Sequence, residues 1–123
     1  MNLQLSLKNK WFEMTKAGIK TEDYREINEY WMKRFFTKET FNEYLEAKND
    51  DGSEFSSGTF HIDFANFKYF TQNTMTLGYP KSGDKERILK LEHKGIEIRT
   101  GNSDWGAEPD KLYFVIKHGR ILE

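Results

Sequence analysis

The alternation of apolar and polar residues at the start of the chain predicts a strand followed directly by a helix. Leu3, Leu5 and Leu7 alternate with polar residues, which is the period of a half-buried strand. From Leu7 onward, Trp11 and Met14 recur at the spacing of a helix. We therefore expect the first structural unit to be a strand, a helix and a tight turn.

A glycine marks the end of the predicted helix. Lys16 and Gly18 form a basic last turn followed by a residue that adopts the left-handed conformation at low cost, which is typical of a helix end. Residues 24–27 then continue as a strand. Apolar residues at helical spacing predict helical structure over residues 29–48, the main part of a helical excursion at about residues 29–58.

The remainder of the chain is predicted to be rich in strands. Apolar patterns indicate strands at residues 60–64, 88–91, 96–98 and 112–116, with an aromatic run at residues 67–70. The turn His93-Lys94-Gly95 predicts that the second and third of these strands form a hairpin. We expect one α+β, β-rich domain over residues 1–123, with about five to seven strands in a small mixed β-barrel or curved sheet and with flanking helices.

Charge and aromatic content narrow the classes of function. The 123 residues carry 19 Lys and Arg against 20 Asp and Glu, for a formal net charge of -1. This balance does not fit a protein that neutralises long stretches of phosphate, so any contact with nucleic acid must come from a local basic patch. Aromatic residues make up 15% of the chain and are expected to supply much of the packing area.

Several kinds of site are excluded or made improbable by residue type and spacing. The chain has no cysteine, which excludes disulfides, thiolate metal sites and a cysteine nucleophile. His61, His93 and His118 lack the spacing of metal ligands and are predicted to be structural or exposed. We expect no metal and no other cofactor. No apolar run approaches the length of a membrane span, so we expect a cytoplasmic protein that does not bind membranes.

The segment from Gly18 to Arg25 concentrates the candidate chemistry. Lys20 supplies a mobile point charge in the turn, and Arg25 supplies a rigid planar fork of donors. Asp23 and Arg25 point to the same face of the predicted strand, where Asp23 is expected to orient one of the two cations. A simple cluster of exposed ion pairs around the turn is the alternative interpretation.

This segment resembles a known signature. Gly18, Lys20, Asp23 and Arg25 are spaced as in the Gly-x-Lys-x-x-Glu-x-Arg signature of ASCH domains, which belong to the PUA-like superfamily. Further matches to a bacterial and phage-type ASCH subgroup follow in order at residues 24–26, 30–31, 33–34, 78–79, 101, 105–109 and 113–116. The resemblance therefore extends along nearly the whole chain.

The resemblance implies a pseudobarrel of β-strands with flanking helices and a cleft beside the signature that receives RNA or modified nucleobases. Some ASCH proteins are amidohydrolases that remove an acyl group from N-acylated cytidine. In those enzymes the signature lysine, here Lys20, acts with a threonine three residues later and with a glutamate elsewhere. Asp23 stands at the position of that threonine in this chain.

Candidate ligand contacts also lie outside the signature. Trp105, in a long loop from residue 101 to 110, is predicted either to stack on a base or to close one end of the barrel. Glu108 either accepts hydrogen bonds from a ligand or caps the same loop. Trp31 and Arg34 share a helix face, which suits either a phosphate and sugar or packing on the barrel. Tyr79 follows a glycine in a turn and is a weaker candidate.

These observations predict a binding module for RNA, a nucleotide or a modified nucleoside. The predicted ligand-binding residues are Lys20, Arg25, Trp31, Arg34, Tyr79, Trp105 and Glu108. The first alternative is an amidohydrolase acting on N-acylated cytidine-type nucleosides, with Lys20 and Asp23 as catalytic residues. An acid such as Asp23, Glu97 or Glu108 would relay protons. The second is a protein-interaction module of a phage or mobile element, using the aromatic helix around Trp31 and Phe35. Whether the protein is an enzyme is left open.

Overall fold

The sheet begins with the strand that the N-terminal alternation predicts. In the computed structural model, which describes residues 1–51, 63–81 and 84–122, this strand buries Leu3, Leu5 and Leu7 on one face. The helices and strands follow in the order β1 (Asn2–Leu7), α1 (Asn9–Lys16), β2 (Glu22–Arg25), α2 (Glu29–Phe35), α3 (Lys38–Asp51), β3 (Gln72–Leu77), β4 (Ile88–Thr100) and β5 (Leu112–Ile121). The prediction of a β-rich α+β domain is confirmed in this form.

The strands form a single curled sheet of five, in the spatial order β1-β3-β4-β5-β2. Strands β1 and β3 are parallel, and the other neighbouring pairs are antiparallel. The sheet curls far enough to bring its two outermost strands together. A hydrogen bond joins them, from Arg25 Nη2 on β2 to the Ser6 carbonyl on β1 at 3.0 Å. The result is a half-barrel whose open seam lies between β1 and β2.

Phenylalanine rings fill the space between the sheet and the helices. Phe35 and Phe36 both meet the ring of Phe114 edge-on, with ring centroids 5.2 and 5.5 Å apart. All three side chains are fully buried. Phe67 reaches the same cluster, with its centroid 6.1 Å from that of Phe114. Such edge-to-face contacts add about 0.5–1.5 kcal/mol each to the area that the rings bury.

The helical segment predicted at residues 29–48 is two helices rather than one. Helix α2 ends at Phe35, because Phe36 adopts an extended conformation and forms a bridge with Phe67. A new helix starts after Thr37, whose hydroxyl accepts a hydrogen bond from the Thr40 amide at 3.2 Å. The part of the predicted 29–58 excursion after residue 51 lies outside the described residues.

Strand β3 has no counterpart in the prediction. Its side chains are mostly polar, yet Asn73, Thr74 and Thr76 are buried. Because strands are predicted from apolar alternation, a strand that buries amides and hydroxyls gives no signal. It lies between β1 and β4, where these groups find hydrogen-bond partners, such as the Asn2 side chain for Thr74 at 2.8 Å.

The predicted hairpin at residues 88–98 was wrong. Strand β4 runs without a turn from Ile88 to Thr100, and its pairing with β5 shifts register on both sides of His93. Gly95 has a φ of 111°, which lets the strand bulge where the turn was expected. Glycine is favoured in bulges as well as in turns, so the local sequence does not distinguish the two structures.

The strand predicted at residues 60–64 lies mostly outside the described residues, and only its last two residues can be compared. Phe64 belongs to a short 3-10 helix and is exposed, while Phe60 and Ile62 lie outside the described residues. The remaining differences are in the bounds of strands, since β2 starts and ends two residues earlier than predicted and β5 runs on to Ile121. No helix within the described ranges is both long and apolar enough to cross a membrane.

The tight packing of Gly101 gives a stability prediction. A Cβ at this position would lie 2.7 Å from the Tyr24 ring and 2.7 Å from the Ala107 Cβ. We expect Gly101→Ala to lower the free energy of unfolding by about 2–3 kcal/mol, the upper part of the range for overpacking. Urea unfolding followed by circular dichroism measures this.

Gly18→Ala is the matched control for this substitution. Gly18 has a φ of 78°, but nothing lies within 4 Å of the added Cβ. This variant should therefore lose only about 1 kcal/mol, from the left-handed backbone alone. Equal losses in the two variants would contradict the packing described for Gly101.

Candidate functional site

A cavity of about 540 Å³ opens at the seam of the half-barrel, beside strand β2. Its walls include Trp11 from α1, Trp31 from α2 and Trp105 from the loop after β4. These are all three tryptophans of the chain. We call this space the tryptophan cavity. The residues predicted as site residues that line it are Lys20, Asp23, Arg25, Trp31, Trp105 and Glu108.

Lys20 and Asp23 form an ion pair at the floor of the tryptophan cavity. The Lys20 ammonium donates to the Asp23 carboxylate and, at 2.8 Å, to the Glu22 carbonyl. Both side chains are almost fully buried, with relative exposures of 3% and 2% for the two residues. The expected orientation of a cation by Asp23 is thus found for Lys20. It is a buried pair, which differs from the exposed cluster considered as an alternative.

The turn before β2 aims Lys20 into the cavity. Helix α1 ends at Lys16, and Gly18 takes a φ of 78° immediately after it. The amides of Ile19 and Lys20 both donate to the Met14 carbonyl, at 3.0 and 3.1 Å. These bonds satisfy the end of the helix and turn the chain back toward the sheet.

A chain of hydrogen-bonded side chains continues from Asp23 to the half-buried His93. The other carboxylate oxygen of Asp23 lies 2.6 Å from His118 Nε2 on β5. His118 Nδ1 lies 2.6 Å from the Asn73 amide nitrogen, and the Asn73 amide oxygen lies 2.7 Å from His93 Nδ1. His93 also lines a separate cavity of about 600 Å³, which we call the histidine cavity. We call this series the polar relay.

The hydrogen bonds of Asn73 assign the tautomers in the polar relay. Its amide nitrogen also lies 3.3 Å from the Lys117 carbonyl, so this end of the amide must be the donor. His118 Nδ1 is therefore an acceptor, and His118 Nε2–H donates to Asp23. His93 Nδ1–H donates to the oxygen of Asn73. In this assignment His93 donates to Asn73, Asn73 donates to His118, and His118 donates to Asp23.

Burial and pairing act in opposite directions on the two charges at the floor. Burial lowers the pKa of Lys20, although the Asp23 carboxylate works against this change. Burial also works to raise the pKa of Asp23, but the hydrogen bond from His118 and the charge of Lys20 outweigh it and lower that pKa. The floor therefore holds an ionised carboxylate beside an amine that gives up its proton more easily than an exposed lysine.

Two of the hydrogen bonds that Arg25 donates go to backbone carbonyls of the protein itself. Its Nη1 donates to the Tyr24 carbonyl at 2.8 Å, and its Nη2 donates to the Ser6 carbonyl across the seam. Its guanidinium carbon lies 5.3 Å from the centroid of the Trp31 ring. Burial lowers the pKa of Arg25. The planar fork predicted for ligand binding is thus divided between closing the half-barrel and facing the cavity.

Two tyrosines hold the loop that carries Trp105. The Tyr24 hydroxyl accepts a hydrogen bond from the Asn102 amide at 2.8 Å, and the Tyr113 hydroxyl accepts one from the Glu108 amide at 2.9 Å. Trp105 ends a 3-10 helix over Ser103–Trp105 and remains partly exposed. Of the two predicted roles, stacking needs an accessible ring, and this ring meets that condition.

Gly106 lets the Trp105 loop approach helix α1. It has a φ of 96°, and a Cβ would lie 3.0 Å from Cζ2 of Trp11. Any side chain there would therefore be strained in its backbone and would press on the ring of Trp11. Two walls of the tryptophan cavity depend on this residue.

Charged residues form the outer rim. Lys111 lies between Glu26 and Glu108, at 2.8 and 3.2 Å from their carboxylate oxygens. Glu108 is exposed, which fits a rim position. Glu97 does not line the tryptophan cavity and instead contacts Arg99 at 2.6 Å. Of the three acids considered for relaying protons, Asp23 and Glu108 line the tryptophan cavity and Glu97 does not.

The two remaining predicted residues lie in a neighbouring cavity of about 410 Å³. Arg34 and Tyr79 line it together with Arg25 and Trp31, which the two cavities share. Tyr79 is almost fully exposed. We call this space the arginine cavity. The predicted site residues are therefore brought together in two adjoining spaces rather than in one.

Several residues of the site have no counterpart in the prediction. Trp11 was assigned only to the helix stripe, although it lies close to the signature in sequence and shares its cavity. His118 was predicted to be structural or exposed, yet it is buried against Asp23. Its partner lies 95 positions away, so nothing local indicates the contact. Tyr24, Glu26, Lys111 and Tyr113 also line the cavity without having been predicted to do so.

No group of His, Asp or Glu residues suited to hold a metal ion is found in the described part of the chain. Comparisons with models of known protein families, with curated proteins and with solved structures each find no match for this chain. What the site can do is therefore inferred from its own geometry and chemistry.

His93, the last residue of the polar relay, gives a pH prediction. Burial is the main cause that lowers the pKa of His93 from 6.5 to about 4. Between these values the unfolded chain binds a proton that the native state does not, so the native state loses stability as pH falls through this window. The ring is only half-buried, so solvent screens part of this effect, and from pH 7 to pH 5 we expect His93 to account for a loss of about 1 kcal/mol.

The variant His93→Gln isolates this contribution, because a glutamine amide still donates to Asn73 but does not titrate. Urea unfolding at pH 7, 6 and 5 should show a shallower decline in the variant than in the parent protein. Most carboxylates titrate below this interval and contribute equally to both proteins. Parallel declines would show that His93 is not held neutral in the native state.

Proposed function

We propose that this protein is a binding module for a nucleoside, a nucleotide or an RNA end, and that the tryptophan cavity receives the base. The observation that carries the proposal is the position of all three tryptophans around one space with an ion pair at its floor. Its volume of about 540 Å³ is within the usual range for small-ligand sites, roughly 300–1,000 Å³. A flat ring with polar edges suits such a space.

The floor and walls supply the two kinds of contact that base recognition uses. Trp105 is partly exposed and stacks on a base, a contact worth roughly 1–3 kcal/mol. Lys20 spends two of its three N–H groups on Asp23 and the Glu22 carbonyl, which leaves one for a carbonyl on the edge of a base. The net charge of -1 favours a single unstacked base over a duplex.

The resemblance to ASCH domains supports the same proposal. Lys20 and Arg25, which carry the signature, both line the tryptophan cavity. We therefore infer an ASCH-like role in which the cavity takes an RNA or modified nucleobase. The protein-interaction alternative gains no such support, because Phe35 is fully buried and Trp31 stacks on it at 5.3 Å. That helix face is packed against the core and does not form an exposed apolar patch.

Tryptophan fluorescence tests the proposal directly. A base entering the cavity should change the emission of the native protein, and a panel of nucleosides and nucleoside monophosphates gives binding curves. We expect Trp105→Ala to weaken binding by roughly ten- to one-hundredfold, in line with the loss of one stacking contact. Tyr69→Ala is the matched control, since Tyr69 is an exposed aromatic residue that lines the histidine cavity and not the tryptophan cavity. Binding that the two variants weaken equally, or no binding by any base, would refute the proposal.

A second candidate function is favoured by the amine at the floor. Because burial lowers the pKa of Lys20, a larger fraction of this amine is neutral than in an exposed lysine. As a base it would take a proton from water while the oxygen adds to the acyl carbonyl of an N-acylated cytidine. The bond from carbon to nitrogen then breaks, the proton passes to the leaving exocyclic amine, and cytidine and a carboxylic acid result.

Hydrolysis is tested by chromatography after incubation with a panel of N-acylated cytidines. We expect release of the free nucleoside at a rate that rises with pH as Lys20 loses its proton. Lys20→Met should abolish turnover, with circular dichroism to verify folding. Glu97→Gln should retain turnover, because Glu97 contacts Arg99 and Lys117 outside the cavity lining. No release above the buffer blank would remove this candidate and leave the binding proposal in place.

A further inference from the structure

Two arginines lie beside Trp31. The guanidinium carbons of Arg25 and Arg34 lie 5.3 and 5.2 Å from the centroid of its ring. Within the described ranges, neither arginine lies within ion-pair distance of a carboxylate. Lys48 of α3, by contrast, pairs with Glu29 of α2. Two neighbouring guanidiniums without a carboxylate at ion-pair distance need an explanation.

Protein contacts occupy only part of the donor sets of these arginines. Arg25 donates to two backbone carbonyls, as described above. Arg34 donates to the Tyr30 hydroxyl at 3.0 Å and to the Gln4 carbonyl at 3.3 Å. Each guanidinium carries five N–H groups. Most of these donors are therefore open to a ligand.

The arginine cavity is the space that both side chains line. It has a volume of about 410 Å³, and the hydroxyl-bearing residues Ser6, Thr76 and Tyr79 contribute to its walls. Arg25, Trp31 and Ser6 line the tryptophan cavity as well. A ligand with its base in the tryptophan cavity would thus pass Arg25 on its way into the arginine cavity.

The electrostatics of this pair favour an anion. Burial lowers the pKa of Arg25, Asp23 offsets part of this effect, and the positive charge of Arg34 lowers the pKa further. An anion held by both guanidiniums would relieve their repulsion. Phosphate oxygens match the planar fork of arginine with two parallel hydrogen bonds.

We propose that the arginine cavity is a phosphate subsite, so that the ligand of this protein is a phosphorylated nucleoside and not a free one. Arg34 is the main phosphate contact, and Arg25 lies between the phosphate and the base. The inference rests on the proposed function of the tryptophan cavity. The inference adds that the group next to the base is a phosphate.

Matched ligands test the subsite. Fluorescence titrations compare each nucleoside with its 5′- and 3′-monophosphates, with a 5′-phosphorylated dinucleotide and with inorganic phosphate. We expect at least one monophosphate to bind tenfold or more tightly than its nucleoside, with an advantage that shrinks as salt rises. A further gain for the dinucleotide would indicate a strand end, and no gain would indicate a free nucleotide.

Two matched variants test whether Arg34 is the residue that contacts the phosphate. Arg34→Ala should remove the advantage of the monophosphate and leave nucleoside binding unchanged. Lys33→Ala removes the same charge from the neighbouring exposed position of α2, which does not line either cavity, and should have little effect. Arg34 is itself exposed, so its loss is not expected to unfold the protein.

The outcomes separate the subsite from the proposed function. Equal affinity for nucleoside and monophosphate, or equal effects of the two variants, would overturn the subsite and leave base binding in place. Inorganic phosphate binding that Arg34→Ala abolishes, without binding of any nucleoside, would keep the subsite and refute the base site. Binding of none of these ligands would refute both.

Discussion

The buried carboxylate of Asp23 is the group on which the arrangement of the site depends. One of its oxygens holds Lys20 from the preceding turn, and the other accepts from His118 on β5. A charge with about 2% exposure is tolerated only when it is paired and hydrogen-bonded, so all three residues must be in place together. Because His118 is held in turn by Asn73 on β3, one carboxylate fixes a turn, an edge strand and two inner strands in a single geometry.

The same carboxylate explains why a polar side chain of β3 is buried inside the sheet. Asn73 is fully buried and satisfies His118, His93 and the Lys117 carbonyl together. An apolar residue there would leave His118 Nδ1 without a donor, at a cost of about 1–3 kcal/mol for a buried unsatisfied group. The buried amide of Asn73 is therefore required by the network that holds the ion pair at the cavity floor. The hydroxyls of Thr74 and Thr76 instead bond to β1 and to the residue that follows β3.

The parts of the fold that depend on local pattern were predictable, and those that depend on register were not. The leucine alternation of β1, the helix end at Gly18 and the position of Lys20 beside Asp23 all follow from neighbouring residues. The contact of Asp23 with His118 depends instead on the pairing of β2 with β5, which no local pattern encodes. Strand β3 was also not predictable, because its polar sequence is typical of a surface segment. The bulge at Gly95 was not predictable because its sequence is equally typical of a turn. The proximity of Trp105 to the signature was expected, but from resemblance and not from geometry.

Arg25 shows how closure of the fold and the proposed ligand binding would be linked in this molecule. It joins the two edges of the sheet through the Ser6 carbonyl, and it lies where the two cavities meet. A sheet of five strands leaves its edges unpaired unless something bridges them, and here the bridge is a cation with donors to spare. An anion bound to this guanidinium would favour its charged form and would leave its hydrogen bond across the seam in place. Occupancy of the proposed site and closure of the half-barrel would therefore favour each other, in keeping with a candidate site at the seam of the sheet.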